Sequence, residues 1–366
     1  MALNLTKPVL RRGPWNLSEL SLIEENGLKV FSCFHCGGGS TMGYKLAGYD
    51  VIGGVEIDPE MMNAYRTNHQ PKYSFLMGVQ EFRNIPNEDL PIELFELDIL
   101  DGSPPCSSFS LSGSRQKKWG EASKFREGQT VQVLDDLFFH FIEIARKLKP
   151  KVVIAENVKG LILGKARGYV KEIFQAFKGA GYEVQLFLLN SSRMGVPQSR
   201  ERTFFIARRI DLGFLPLSLH FNEEPIGVAE AIKWVSLEGI RSLTAAQSDL
   251  WHKCSIGKAF STVHPNGSCF NSIKVAPHRP SPTVTATASQ GIGGLYHWRE
   301  PRQFSPREYS RLQTFPDDYH VDLKDLVYLC GMSVPPYMMQ RLSMSVYQQW
   351  FDLQKREENA MARILP

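Results

Sequence analysis

Residues 28–58 read LKVFSCFHCGGGSTMGYKLAGYDVIGGVEID, and this stretch decides the fold. Leu28–Phe34 is a short apolar run that predicts a strand. It runs into Gly37-Gly38-Gly39, where the missing side chains let backbone approach a ligand closely. A helix predicted from Met42 to Ala47 adds N-terminal donors beside that turn. A second strand, Val51–Ile57, closes on Glu56-Ile57-Asp58, where an acid can accept from ribose hydroxyls. Many nucleotide-binding folds share this signal, and a tight turn with a surface acid explains it equally well.

Downstream the rhythm repeats. Ile92–Leu100 is a further strand candidate and leads into Gly102-Ser103-Pro104-Pro105-Cys106. Leu134, Leu137, Phe138, Phe141, Ile142, Ala145 and Leu148 recur at three- and four-residue steps, predicting a long helix that Pro150 stops. Val152–Ala155 is a buried strand, followed by a helix around Tyr169–Phe177 and strands at Val184–Leu189 and Thr203–Ala207. Strands alternating with helices predict an α/β fold with a mostly parallel sheet. Residues 210–278 break the rhythm with aromatic and basic islands such as Trp234 and Trp251-His252-Lys253, and predict a second, smaller domain. The chain then turns helical again, at Arg307–Leu312 and Val334–Trp350. The expected division is an N-terminal extension at 1–27, a catalytic domain at 28–209, a small domain at 210–278 and a C-terminal segment at 279–366.

Composition bounds the function. The chain has 366 residues, 43% hydrophobic and 22% charged, as a folded protein with a real core has. A net charge of +4 permits nucleic-acid binding without arguing for it, because a phosphate-binding face needs local clustering. Six scattered cysteines, Cys33, Cys36, Cys106, Cys254, Cys269 and Cys330, predict reduced thiols. Cys33 and Cys36 lack a second pair to complete a zinc site, so no metal is expected. No signal core and no run of about 18 apolar residues is present, which predicts a cytoplasmic protein off the membrane.

Three clusters carry chemistry. Two prolines would hold Cys106 at a strand-to-loop edge, where a thiolate is a good carbon nucleophile. Taken alone, Cys106 reads more readily as a buried structural thiol. Glu156-Asn157-Val158 ends the next buried strand, where a carboxylate can move a proton or simply cap a helix. Arg200 and Arg202, two residues apart before a strand, point to one face. They can hold a base carbonyl and phosphates, or stand as a solvated pair.

The ordered set resembles the DNA cytosine-5 methyltransferase family. It runs Phe34–Gly43 (FHCGGGSTMG), Glu56, Gly102–Ser110 (GSPPCSSFS), Glu156-Asn157-Val158, Gly195–Arg202 (GVPQSRER), Arg279–Ala286 (RPSPTVTA), Arg311–Pro316 (RLQTFP) and Gly331–Pro336 (GMSVPP). Each block is modest; their order over residues 28–342 is specific. The resemblance implies a Rossmann-like fold that uses S-adenosylmethionine, with a smaller target-recognition domain. It implies that Cys106 attacks C6 of a cytosine flipped out of double-stranded DNA, because C5 is inaccessible in the stack. It further implies that Glu156 contacts the N3 and amine edge, that Arg202 lies near O2, and that Arg200 supports the same loop. Phe34 would lie against the cofactor's adenine, with Ile57 covering it and Glu56 on the ribose. Gly38, Gly39 and Pro104 would line the methionine side, and Ser333 and Val334 would close the pocket.

Three positions depart from the family pattern: Cys36 stands for a glycine, Met332 for an asparagine, and Val79 where an acid often contacts the adenine amine. These bear on cofactor contacts and leave Cys106, Glu156 and Arg202 untouched. The short variable region implies a compact bacterial or phage enzyme, monomeric, with a short site and a cognate restriction endonuclease as a candidate partner. Lys253, Lys258 and His264 are candidate DNA contacts, weighed against solvated loop charges. Competing readings are a transfer-RNA cytosine methyltransferase of the same fold, whose Cys-Phe-Thr signature is absent, an inactive DNA-binding regulator, and a nicotinamide dehydrogenase. The last explains the glycine turn but neither Pro-Pro-Cys nor QSRER.

Overall fold

The computed structural model describes residues 12–105, 122–123, 132–133, 136–163, 167–290 and 293–352. Cys106 lies outside the described residues, as do Arg11 and most of the segment between Cys106 and α4.

The predicted opening unit forms as read. Strand β1 (Lys29–Cys33) leads through the glycine turn into helix α1 (Gly39–Leu46) and strand β2 (Asp50–Glu56). Helix α2 (Pro59–His69), strand β3 (Tyr73–Leu76) and helix α3 (Val79–Asn84) follow. Asp58 starts α2 by accepting from the backbone N–H of Glu60 and Met61. The expected strand at Ile92–Leu100 is corrected. Pro91 opens a short 3-10 turn at Ile92–Phe95, Ile92 faces solvent, and the strand β4 is only Ile99–Gly102. The apolar run there mixes an exposed turn with a buried strand.

Two two-residue strands, β5 (Ala122–Ser123) and β6 (Gln132–Val133), pair antiparallel. Helix α4 (Leu137–Leu148), strand β7 (Val152–Val158), helix α5 (Arg167–Gly179), strand β8 (Tyr182–Asn190) and strand β9 (Glu201–Arg209) complete the main run. The main sheet has seven strands in the order β3-β2-β1-β4-β7-β9-β8. Among the described strands of this sheet, only β9 runs against the direction of the other six. Both faces are covered, and the strands alternate between them. Val30, Ile99, Val152, Ile154, Phe204 and Ile206 enter one core, while Phe31, Leu100, Val153, Ala155, Phe205 and Ala207 enter the other. A sheet buried on both sides gives such near-continuous apolar runs. Strand order reverses at β1 and β4, and ligands bind in the crevice at such a switch point.

The second half holds helices α6 (Val228–Ala231) and α7 (Ala245–Lys253) and a small sheet. In that sheet β10 (Lys258–Ala259) pairs antiparallel with β11 (Ser272–Lys274), and β11 parallel with β12 (Gly294–Tyr296). A separate small core forms from Leu250, Trp251, Cys254, Phe260 and Tyr296. Leu217, Val228 and Ile232 pack instead into the main core. Helices α8 (Pro306–Leu312), α9 (Leu323–Met332) and α10 (Pro336–Val346) return to β1's side. There Gln340 Nε2 donates to Leu46 O, and Tyr49 OH to Ser343 O. The helix expected at Val334–Trp350 ends at Val346 and continues as one π turn, Tyr347–Phe351. Among the described residues no helix is long and apolar enough to cross a membrane, and no group of His, Cys, Asp and Glu is placed to hold a metal.

Candidate active site

The cofactor-side residues converge at the carboxyl ends of β1 and β2. Phe34 and Cys36 both adopt left-handed backbone, at φ 55° and 50°. This conformation explains why glycine is usual at position 36. Cys36 N donates to Glu56 Oε2 at 2.7 Å, and Ile57 N and Asp58 N donate to Glu56 Oε1 at 2.9 and 3.0 Å. Burial pushes the Glu56 carboxyl upward, while these three N–H donors pull it back. Oε1 has spent both lone pairs, while Oε2 keeps one acceptor site open. Phe34 tilts against Phe141 at 6.5 Å.

Gly38 caps α1 in left-handed backbone, φ 86°. A Cβ on Gly39 would sit 2.4 Å from Val334 O and 2.7 Å from Ser333 Cβ, so the C-terminal segment rests directly on the turn. Ser333 Oγ is buried without a partner. An orphaned hydroxyl beside a glycine turn, with an acid keeping one acceptor site free, fits the polar groups of S-adenosylmethionine. Of the family departures, Val79 is buried under the α3 side of the sheet and Met332 ends α9.

Beneath the turn lies a residue that sequence reasoning missed. Asp101, inside β4, accepts from Ser32 Oγ at 2.6 Å, Ser40 Oγ at 2.8 Å and Tyr44 OH at 3.2 Å. Burial pushes its carboxyl up to about 6 against these donors. Its signal was an acid within an otherwise apolar strand, Ile99-Leu100-Asp101-Gly102.

Glu156 and Arg202 meet across the sheet. Pairing sets Glu156 opposite Phe204 and Val158 opposite Arg202, so the two are diagonal neighbours on one face. Arg202 Nε reaches Glu156 Oε1 at 2.8 Å, with both side chains nearly buried. Burial lowers the Arg202 pKa, and Glu156 opposes that shift. The solvated-pair alternative is thereby excluded. Asn157 Nδ2 donates to Pro104 O at 3.1 Å, and Thr203 Oγ1 donates to Asn157 O at 3.1 Å. The Pro-Pro segment before Cys106 is therefore tied to the strand bearing Glu156.

Arg200 departs from one of its sequence readings, that of a phosphate contact. Its side chain is 2% exposed and unavailable to phosphates. It donates from Nη1 to Val284 O at 3.0 Å and from Nη2 to Gly331 O at 2.9 Å. Burial, then the like charge of Arg202, drives its pKa down. The expected DNA contacts find local partners: Lys253 pairs with Asp249 at 2.7 Å, and His264 Nδ1 accepts from Asn266 N and Ser268 N. Lys258 is exposed on β10.

Comparison with known proteins agrees with this geometry. The family model for C-5 cytosine-specific DNA methylase matches residues 28–223 and 233–348. The Type II methyltransferase M.FnuDI of Fusobacterium nucleatum is 29% identical, over 84% of this chain and 91% of the relative. The Type II methyltransferase M.NgoFVII of Neisseria gonorrhoeae is 26% identical, over 88% and 87%. A crystal structure of a DNA modification methyltransferase encoded within an E. coli prophage shares the fold. Its TM-score is 0.66 at 21% identity, over 88% of this chain and 99% of that one. With the family model spanning most of a chain that pairs Glu156 with Arg202 and ties Asn157 to Pro104, the chain belongs to the C-5 cytosine-specific DNA methylases and is a DNA cytosine-5 methyltransferase.

Proposed function

We propose that this enzyme acts on a cytosine flipped out of duplex DNA, with Cys106 as nucleophile and Glu156, Arg202 and the Phe34–Glu56 side of the crevice serving the reaction. The observation that carries the reading is the Glu156–Arg202 pair at 2.8 Å, on a strand whose Asn157 holds Pro104. Glu156 faces the N3 and amine edge of the base, and Arg202 its O2. The Cys106 thiolate bonds to C6, which loads electron density onto C5. When bound, S-adenosylmethionine supplies the electrophilic methyl group that C5 takes up. Water then takes the C5 proton, the C5–C6 double bond re-forms, and the Cys106 sulfur departs as thiolate. Glu56, Phe34, Ile57, Gly38, Gly39, Pro104, Ser333 and Val334 hold the cofactor; Arg200 positions the segments around it. The small sheet and α7 read a short sequence. The Type II character of the relatives supports a modification role beside a cognate restriction endonuclease.

Bisulfite sequencing of plasmid DNA from cells expressing the protein tests this. Protected cytosines in one short context are expected, and none with Cys106→Ser. Tritium from labelled S-adenosylmethionine appearing in transfer RNA and not in duplex DNA would overturn the reading.

A further inference from the structure

The motifs QSRER, RPSPTVTA, RLQTFP and GMSVPP lie far apart in sequence, yet one hydrogen-bonded line joins all four. Ser199 N donates to Ser281 O, Ser281 N to Pro197 O, and Thr283 Oγ1 to Ser199 O. These bonds lay the 281–284 segment beside Gln198. Val284 N donates to Gln198 Oε1 at 2.9 Å. Gln198 Nε2 donates to Gln313 Oε1 at 2.6 Å, and Gln313 Nε2 to Ser333 O at 2.7 Å. Both glutamines are fully buried.

Each amide accepts at oxygen and donates at nitrogen, so flipping either would set donor against donor. The line therefore has one direction, and its members polarise one another in the low-dielectric interior. Arg200 runs alongside, from Val284 O to Gly331 O. Val284 is thus gripped at both its N–H and its C=O.

The two ends face different tasks. Residues 275–290 form a strap that leaves β11 of the small sheet and passes Gln198. Ser333, at the other end, packs on Gly39 of the glycine turn. We propose that Gln198 and Gln313, flanked by Arg200, are positioning residues that couple the seating of the strap to the shape of the cofactor side. This rests on the functional reading above for what binds at each end. Gln198 touches neither Ser333 nor the glycine turn, so a purely local packing role predicts no effect there.

The test uses the full chain and S-adenosylhomocysteine as the probe. Gln198→Met and Gln313→Met keep the volume and remove the polar line. Calorimetry is expected to show about fivefold weaker binding for either variant, the worth of one buried hydrogen bond. The double variant is expected to be no weaker than the worse single one. Hydrogen exchange across 329–335 is expected to speed up in Gln198→Met without the probe. Unchanged affinity, additive losses in the double variant, or unchanged exchange would each overturn the relay. If a Met variant fails to fold, Gln313→Asn replaces it, because it keeps an amide but falls a methylene short of Ser333 O. Tritium transfer by the wild type is measured in parallel. A wild type that transfers no methyl to DNA sinks the functional reading, while the exchange experiment still decides the relay.

Discussion

At the residue scale, the strongest local commitment is the pairing of Glu156 with Arg202. Replacing Glu156 with Gln keeps the shape but leaves the Arg202 guanidinium nearly buried without its countercharge. Methyl transfer is expected to fall by about 10²-fold or more, the usual worth of a positioned proton-handling carboxyl, in a steady-state tritium assay. Asp101 offers a test with a defined sign. Its carboxyl is held at about 6, above its ordinary value of 3.8, so folding favours its protonated form. The stability this lends is full below pH 3.8 and is lost as pH rises to about 6. Above that, the buried charge costs up to about 3 kcal/mol relative to a neutral group. An asparagine in its place can still bond Ser32, Ser40 and Tyr44, since hydroxyls rotate to accept. The urea midpoint of Asp101→Asn, measured against the wild type, is therefore expected to match it near pH 4 and exceed it above pH 6. A gap that widened toward acid would contradict the assignment.

At the element scale, close approach of backbones does what side chains cannot. A Cβ on Gly331 would lie 2.1 Å from Ala286 N and 2.5 Å from Ala286 Cα, both backbone atoms that cannot swing aside. Gly331→Ala is expected to cost about 1–3 kcal/mol by thermal unfolding, the usual range for overpacking. It is also expected to weaken cofactor binding, because Ser333 follows directly on α9. Much of the element plan was legible in the sequence: β1, β2, β7 and β9 are apolar runs because both sheet faces are covered. Strand β3 was not, since YSFL is four residues long and no more than half-buried. Ile92 misled because an exposed isoleucine looks like a strand residue until burial is known. Glu156 and Arg202 were legible as candidates, but their diagonal contact depends on β9 running antiparallel to β7. Gln198 and Gln313 stand 115 positions apart, and no local pattern joins them.

At the scale of the whole molecule, the two ends of the chain close one fold through Glu223. Its carboxylate takes Arg341 in bidentate fashion, Nε to Oε1 at 2.8 Å and Nη2 to Oε2 at 3.2 Å. Arg12 Nη2 adds a contact to Oε2 at 3.1 Å, and Glu223 N donates to Arg193 O. One acid thus ties the N-terminal segment, the chain after β9 and helix α10 together. The Arg341 side chain is 2% exposed, so its charge has no recourse to water. Burial pulls the Glu223 carboxyl upward, but Arg341 and Arg12 outweigh it and hold it below the usual carboxylate range. A lowered pKa means stability that is present above pH 4.5 and lost as pH falls through the folded value. Glu223→Ala leaves a buried guanidinium without this countercharge, though Gln340 Oε1 still accepts from it. The expected cost is about 2–4 kcal/mol in urea unfolding at pH 7.5, discounted slightly because Glu223 is partly open to solvent. Salt is expected to change the loss little, since screening acts weakly on buried pairs. The gap to wild type should hold from about pH 8 to about pH 5 and narrow only below the ordinary carboxylate range. A gap that closed with added salt would mean that Arg341 finds water in the native state and that the ends are joined by packing alone.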